Sequence, residues 1–145
     1  MDFFDALHTS SAGLTAQRLR MNLISGNLAN VHTTRTKDGG PYRRKEPIFA
    51  AQAQDMSFER ILASQNPDNL PLVKVVEIIE DGRNPLLKYD PNHPDADAEG
   101  YVAMPNINLM EEMVNLISAT RSYEANITAV KAAKEMAMKA LDIGQ

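Results

Sequence analysis

Residues 105–145, PNINLMEEMVNLISATRSYEANITAVKAAKEMAMKALDIGQ, decide the fold. Asn108 is a good N-cap, and Glu111 three residues later completes an Asn-x-x-Glu capping-box pattern. From there an apolar row runs Leu109, Met113, Leu116, Thr120, Tyr123, Ile127, Val130, Lys134, Ala137, Leu141, in alternating steps of four and three. That is a heptad seam, the pattern of helices that wrap around one another. No Pro or Gly interrupts it before Gly144, so the spacing predicts a helix of roughly 50 Å at 1.5 Å per residue. A rod of that length cannot fold back inside a small globule and must lie against partners.

The most economical partner is at the other end of the chain. Asp2 to Asn30 reads as a second long helix, with Asp2 as cap and Asp5 in the first turn, where negative charge suits the helix dipole. Leu7, Leu14, Met21 and Leu28 fall seven apart, and Phe3 and Ile24 precede Leu7 and Leu28 by four. The alternate row holds Ser10 and Gln17, and Gly13 and Gly26 each weaken a helix by roughly 1 kcal/mol against Ala. Neither helix is strong alone. Both are expected to be ordered by packing on each other and on neighbouring subunits.

Between them the composition changes. Asp38-Gly39-Gly40-Pro41 is a turn, Tyr42 to Ala50 reads as a strand that Pro47 confines to an edge or a bulge, and Leu72 to Glu80 is the clearest strand. Ser57 to Ala63 reads as one or two helical turns and Asn66 to Asn69 as a loop. Leu86 to Tyr89 is a shorter strand, an acidic Pro-rich loop spans Asp90 to Gly100, and Tyr101 to Met104 leads into the last helix. The fold expected is α+β: residues 1–30 and 105–145 form a coiled-coil-like helical domain, and residues 31–104 a small β-rich insertion.

The formal charge is −4, with 12 acids and 9 bases in residues 31–104 and near-neutral ends. Such ends suit close packing between chains, and the acidic balance argues against nucleic acid as the main partner. There are no cysteines, so disulfides and thiolate chemistry are excluded. The acidic start is unlike a secretory signal, and no stretch reaches the roughly 18 apolar residues of a membrane span. Composition alone therefore reads as cytoplasmic and soluble, without membrane insertion.

Candidate chemistry is sparse. Asp95-x-Asp97-x-Glu99-Gly100 opens like a calcium loop, but the twelfth position is Asn106 where a bidentate Glu is needed. His8, His32 and His93 share no ligand spacing, and nucleophile elbows, Walker loops and dinucleotide fingerprints are absent. Arg43-Arg44-Lys45 reads as solvated edge charge that blocks sheet pairing. No enzyme, no cofactor and no small-molecule substrate is expected. The alternative reading is a helix-turn-helix or coiled-coil regulator that binds DNA, with Leu14 to Arg35 as the motif and Gly26 in its turn.

Two stretches carry a family resemblance. Gly13-Leu14-Thr15-Ala16-Gln17-Arg18-Leu19, followed by Gly26-Asn27-Leu28-Ala29-Asn30, resembles the Asn-Leu-Ala-Asn signature of bacterial flagellar rod and hook proteins. Glu112 to Asn115 and Ser118 to Asn126 resemble their shared C-terminal helix. Tyr89 to Pro94, Gly100 to Asn106 and the short middle region are most similar to a proximal-rod member. The resemblance is loose across about residues 51–70.

The resemblance implies a structural subunit of the hollow axial drive shaft that transmits torque from motor to hook and filament. It also implies a place in the periplasm, reached without a cleaved signal peptide through the flagellar type III export apparatus, and partners that are copies of itself and homologous rod proteins. On that reading the subunit-packing residues are Leu7, Leu14, Met21, Ile24, Leu28, Leu109, Met113, Leu116, Tyr123, Ile127, Val130 and Leu141. Asn115, Arg121 and Asn126, polar groups on a helix surrounded by neighbours, are expected to make contacts between subunits.

Overall fold

The computed structural model describes residues 3–52 and 72–143, and among these it has two long helices and two pairs of antiparallel strands. Helix α1 is Phe3–Ala29 and helix α2 is Leu109–Ile143, with strands β1 Lys45–Gln52, β2 Leu72–Glu80, β3 Leu86–Tyr89 and β4 Tyr101–Met104 between them. This is the expected α+β order. The expected turns at Ser57–Ala63 and loop at Asn66–Asn69, like the Asp2 cap, lie outside the described residues.

The helices run antiparallel, with Gly13 against Asn126, Met21 against Thr120 and Asn27 against Glu112. The most enclosed row of their contact is built largely from small and polar residues. Ala16, Ala119 and Ala133 are buried on it, and a Cβ at Gly13 would lie 3.1 Å from Asn126 Nδ2. The contact row of α2 is Glu112, Ala119, Asn126 and Ala133, one position before the row Met113, Thr120, Ile127, Lys134 in the apolar seam. Apolar periodicity alone passes over this row, because close approach selects small side chains and buried polar groups select partners.

Asn108 caps α2, its Oδ1 accepting from the backbone N–H of Met110 at 3.1 Å and of Glu111 at 3.4 Å. The reciprocal half of the capping box is missing among the described residues, since Glu111 is exposed and its carboxylate does not return to Asn108. Leu14 to Arg35 is not a helix-turn-helix. Helix α1 runs unbroken through Gly26, and the turn that follows leads into the β region.

β1 and β2 pair antiparallel, from Lys45 opposite Glu80 to Gln52 opposite Leu72, and pack beside α1. β1 starts three residues later than expected because Tyr42 N–H donates to Thr33 O, while the Arg44 C=O accepts from Asp81 N–H just past β2 and the Arg44 side chain turns to α2. The irregularity falls between Ile48 and Phe49, one residue beyond Pro47, whose missing N–H weakens pairing. β3 and β4 form a hairpin from Leu86 opposite Met104 to Tyr89 opposite Tyr101.

The loop between them closes on Gly100 at φ 83°, which a side chain would strain, while the Asp97 carboxylate accepts from Glu99 N and Tyr101 N. Asp95 accepts from Thr34 Oγ1. The acidic residues of this loop thus serve its own turns and tie it to the segment after α1.

Candidate functional site

The signature Gly26-Asn27-Leu28-Ala29-Asn30 closes α1, and its two asparagines have different tasks. Asn30 terminates the helix: its Nδ2 donates to Gly26 O at 2.9 Å and its Oδ1 accepts from Thr33 Oγ1. Asn27, three residues earlier, faces inward and is 1% exposed. Its Nδ2 donates to Lys45 O at 3.0 Å and to Glu112 Oε2 at 3.1 Å. Its Oδ1 accepts from Lys45 N–H at 2.9 Å and from Tyr42 Oη at 3.1 Å. Every hydrogen-bonding position of the amide is filled. One side chain therefore joins the end of α1, the start of β1 and the first turn of α2.

Glu112, also 1% exposed, is a buried carboxylate that needs a cation, and Arg44 supplies it. Arg44 Nε donates to Glu112 Oε1 at 2.6 Å, and Arg44 Nη1 lies 2.7 Å from Glu46 Oε1. Desolvation opposes the guanidinium charge, but the bonds to Glu112 and Glu46 outweigh it and hold the pKa above its ordinary value. Burial pushes the Tyr42 phenol up against the pull of Lys45, so it stays a donor to Asn27. Arg44 is not the solvated edge charge expected of the basic run. Its side chain is 11% exposed because it neutralises Glu112, while Arg43 faces solvent.

Beside this cluster lies a cleft of about 270 Å³ lined by Arg20, Ile24, Pro47, Phe49 and Asn115 together with the cluster residues. The arrangement offers no nucleophile and base in register. It is a clamp holding three chain segments in one geometry, with a recess beside it.

The expected packing residues divide. Ile24 is buried; Leu7, Leu14, Met21, Leu28, Leu116, Tyr123, Ile127 and Val130 are half-buried along the helix pair. Leu109, Met113 and Leu141 are exposed. Around the first two, Met110, Val114 and Ile117 are exposed as well, making an apolar patch on the side of α2 turned away from α1. Leu141 is 72% exposed because α2, at 35 residues, outruns the 27 of α1. Of the polar three, Asn126 lies against Gly13 inside the chain and donates to Ser122 O, Asn115 is half-buried at the cleft, and Arg121 is exposed.

Asn27, Tyr42, Arg44 and Glu112 were not foreseen as contacts. Two of them sat in the signature stretches themselves. An asparagine and a glutamate inside otherwise apolar helical runs are the signal that locates such a clamp.

Residues 7–37 match the family described as flagella basal body rod protein. Residues 98–143 match the flagellar basal body rod FlgEFG protein C-terminal family. Full-length relatives named flagellar basal-body rod protein FlgC are among the matches. That of Bacillus subtilis (strain 168) is 50% identical, with all of both chains covered. That of Borreliella burgdorferi is 48% identical over all of this chain and 99% of its own. That of Aquifex aeolicus is 42% identical over 94% of this chain and 92% of its own. The two family matches cover α1 with its signature and α2 with β4, the two arms that the clamp joins.

Proposed function

The chain belongs to the flagellar basal-body rod protein FlgC family of structural, non-enzymatic subunits, and from that premise we propose how it is built into the rod. The helical pair, residues 1–30 and 105–145, forms the inner wall of a hollow shaft in its proximal part. Residues 31–104 pack outside it. Copies of this chain and homologous rod proteins cover the faces of α2 that α1 leaves bare, and torque passes along the column they build. The subunit reaches the periplasm through the flagellar type III export apparatus. The family kinship over the full chain supports that route.

One observation carries the reading. α2 holds Leu109, Met110, Met113, Val114 and Ile117 in water at one end and Met136, Met138 and Leu141 at the other, while few of the described large apolar side chains, among them Ile24, Val102 and Ile107, are buried within the subunit. Apolar surface that a chain leaves bare along a helix is surface for a partner. The subunit-packing role of Leu109, Met113 and Leu141 and the inter-subunit role of Asn115 and Arg121 follow from their exposure or half-exposure. Leu7, Leu14, Met21, Ile24, Leu28, Leu116, Tyr123, Ile127 and Val130 hold the pair together and present its flanks.

The test is complementation of a bacterial strain lacking its own FlgC. The chain is expected in purified basal bodies, with motility restored. Basal bodies that lack it, from cells that make and export it, would sink the rod assignment. Retention of the protein in the cytoplasm of cells with intact export machinery would sink the export route.

A further inference from the structure

The cleft beside the clamp has a composition that fits one partner. Ile24, Pro47 and Phe49 give it an apolar wall, and Asn115 an amide. Of its three cations, Arg44 is held by Glu112 and Glu46, and Lys45 lies 3.3 Å from Glu80. Arg20 is half-buried in the cleft, and its guanidinium makes no ion pair or hydrogen bond among the described residues. Glu46, on the rim, has a side chain 55% exposed and keeps room for a second cation.

A complementary surface exists on the same chain. The side of α2 turned away from α1 carries Met110, Met113, Val114 and Ile117, followed by Arg121 and Glu124, all exposed. Neither Arg121 nor Glu124 has an ion-pair partner among the described residues. At 100° per residue these six positions share one stripe, and Asn115 lies on the opposite side of the helix.

We propose that this cleft seats the outward face of α2 from a second copy of this chain, with Glu124 paired to Arg20, Arg121 to Glu46, and the methionine-rich patch on the Ile24–Phe49 wall. Cleft and patch are different surfaces on different sides of the molecule. The contact is therefore heterologous, the kind that builds an open helical assembly where the rotation between copies does not close. The inference rests on the rod reading and adds to it one named contact between copies.

Charge reversal and a cysteine pair test it. Arg20→Glu and Glu124→Arg each place like charges together and are expected to cut the number of rods per cell by about tenfold or more. The two reversals combined restore it to within about twofold of the unaltered chain. Neither side chain has an ion-pair partner among the described residues of the monomer, so the melting temperature of each purified variant should stay that of the parent. In the otherwise cysteine-free chain, Arg20→Cys with Glu124→Cys is expected to give disulfide-linked dimers in purified basal bodies. Within one chain the two positions cannot join, because Glu124 is on the far side of α2.

Single reversals that assemble normally, a double reversal that stays defective, or absence of linked dimers would overturn this contact while the unaltered chain still enters the rod. Failure of the unaltered chain to enter basal bodies would overturn the rod reading and this contact together.

Discussion

The clamp end of the helix pair and the outward face of α2 invert the usual distribution of residues. At the clamp, an amide, a carboxylate, a guanidinium and a phenol are enclosed and joined by hydrogen bonds. On the outward face, Val114 is 64% exposed, among methionines and Ile117 that are bare as well. A monomeric globular protein buries the second kind of residue and solvates the first. Here polar groups fix the clamp end of the subunit, and the apolar groups of the outward face of α2 are left exposed by their own chain. The division is physically sensible. Hydrogen bonds are directional and set one geometry, whereas an apolar face supplies affinity to whatever complements it.

The sharpest way to break this comparison is to charge the outward face. Val114→Glu is expected to abolish rod assembly, since an unpaired carboxylate in a packed interface costs several kcal/mol and the contact recurs in every copy. The monomer should lose no more than about 0.5 kcal/mol in urea unfolding, because Val114 touches little of its own chain. Motile cells, or a monomer much weakened, would place Val114 on the wrong side of the division.

Next in size is the clamp. Glu112→Ala leaves Arg44 half-paired and one Asn27 N–H without its acceptor, and breaking a buried ion pair costs about 3–5 kcal/mol. For a domain of ordinary stability that is a large share of the total. A shift in the urea midpoint worth less than about 1 kcal/mol would mean that water replaces the carboxylate and that the clamp is not closed.

Asn27→Ala is expected to cost less, about 2–3 kcal/mol. It removes a neutral side chain but strands the N–H and C=O of Lys45 at the start of β1. Hydrogen exchange should show the Lys45 amide losing protection while the middle of α2 keeps it. Equal loss across both would show that the amide supports the helix pair as a whole.

Much of this architecture was legible from sequence because its signals are local. Heptad spacing with Asn108 gave α2, a β-branched run gave β2, and Pro47 foretold the irregular edge of β1. The clamp was not legible in the same way. Asn27 and Glu112 are 85 residues apart and are drawn together only by the antiparallel register of the helices. Arg44 in a basic run has the local signature of a solvated charge, and only the buried carboxylate opposite reverses that reading. The contact row was missed for a related reason. Glu112, Ala119, Asn126 and Ala133 are not hydrophobic enough to register as a seam, although close packing favours residues of that kind.

Within that row the effect to measure is the smallest and turns on one neighbour. Gly13→Ala gains about 1 kcal/mol of helix propensity. Its new Cβ would meet Asn126, with Nδ2 at 3.1 Å, Oδ1 at 3.3 Å and Cγ at 3.4 Å. Asn126 has little freedom to retreat, since its Nδ2 also donates to Ser122 O at 3.0 Å. The gain and the crowding should nearly cancel, leaving Gly13→Ala within about 0.5 kcal/mol of the parent. Asn126→Ala removes the obstacle, so Gly13→Ala in that background should stabilise by close to the full propensity difference. The coupling between the two changes is then about 0.5–1 kcal/mol in a double-mutant cycle. Strict additivity would mean that the helices already sit far enough apart for a methyl group, and that the small residues between them do not set their distance.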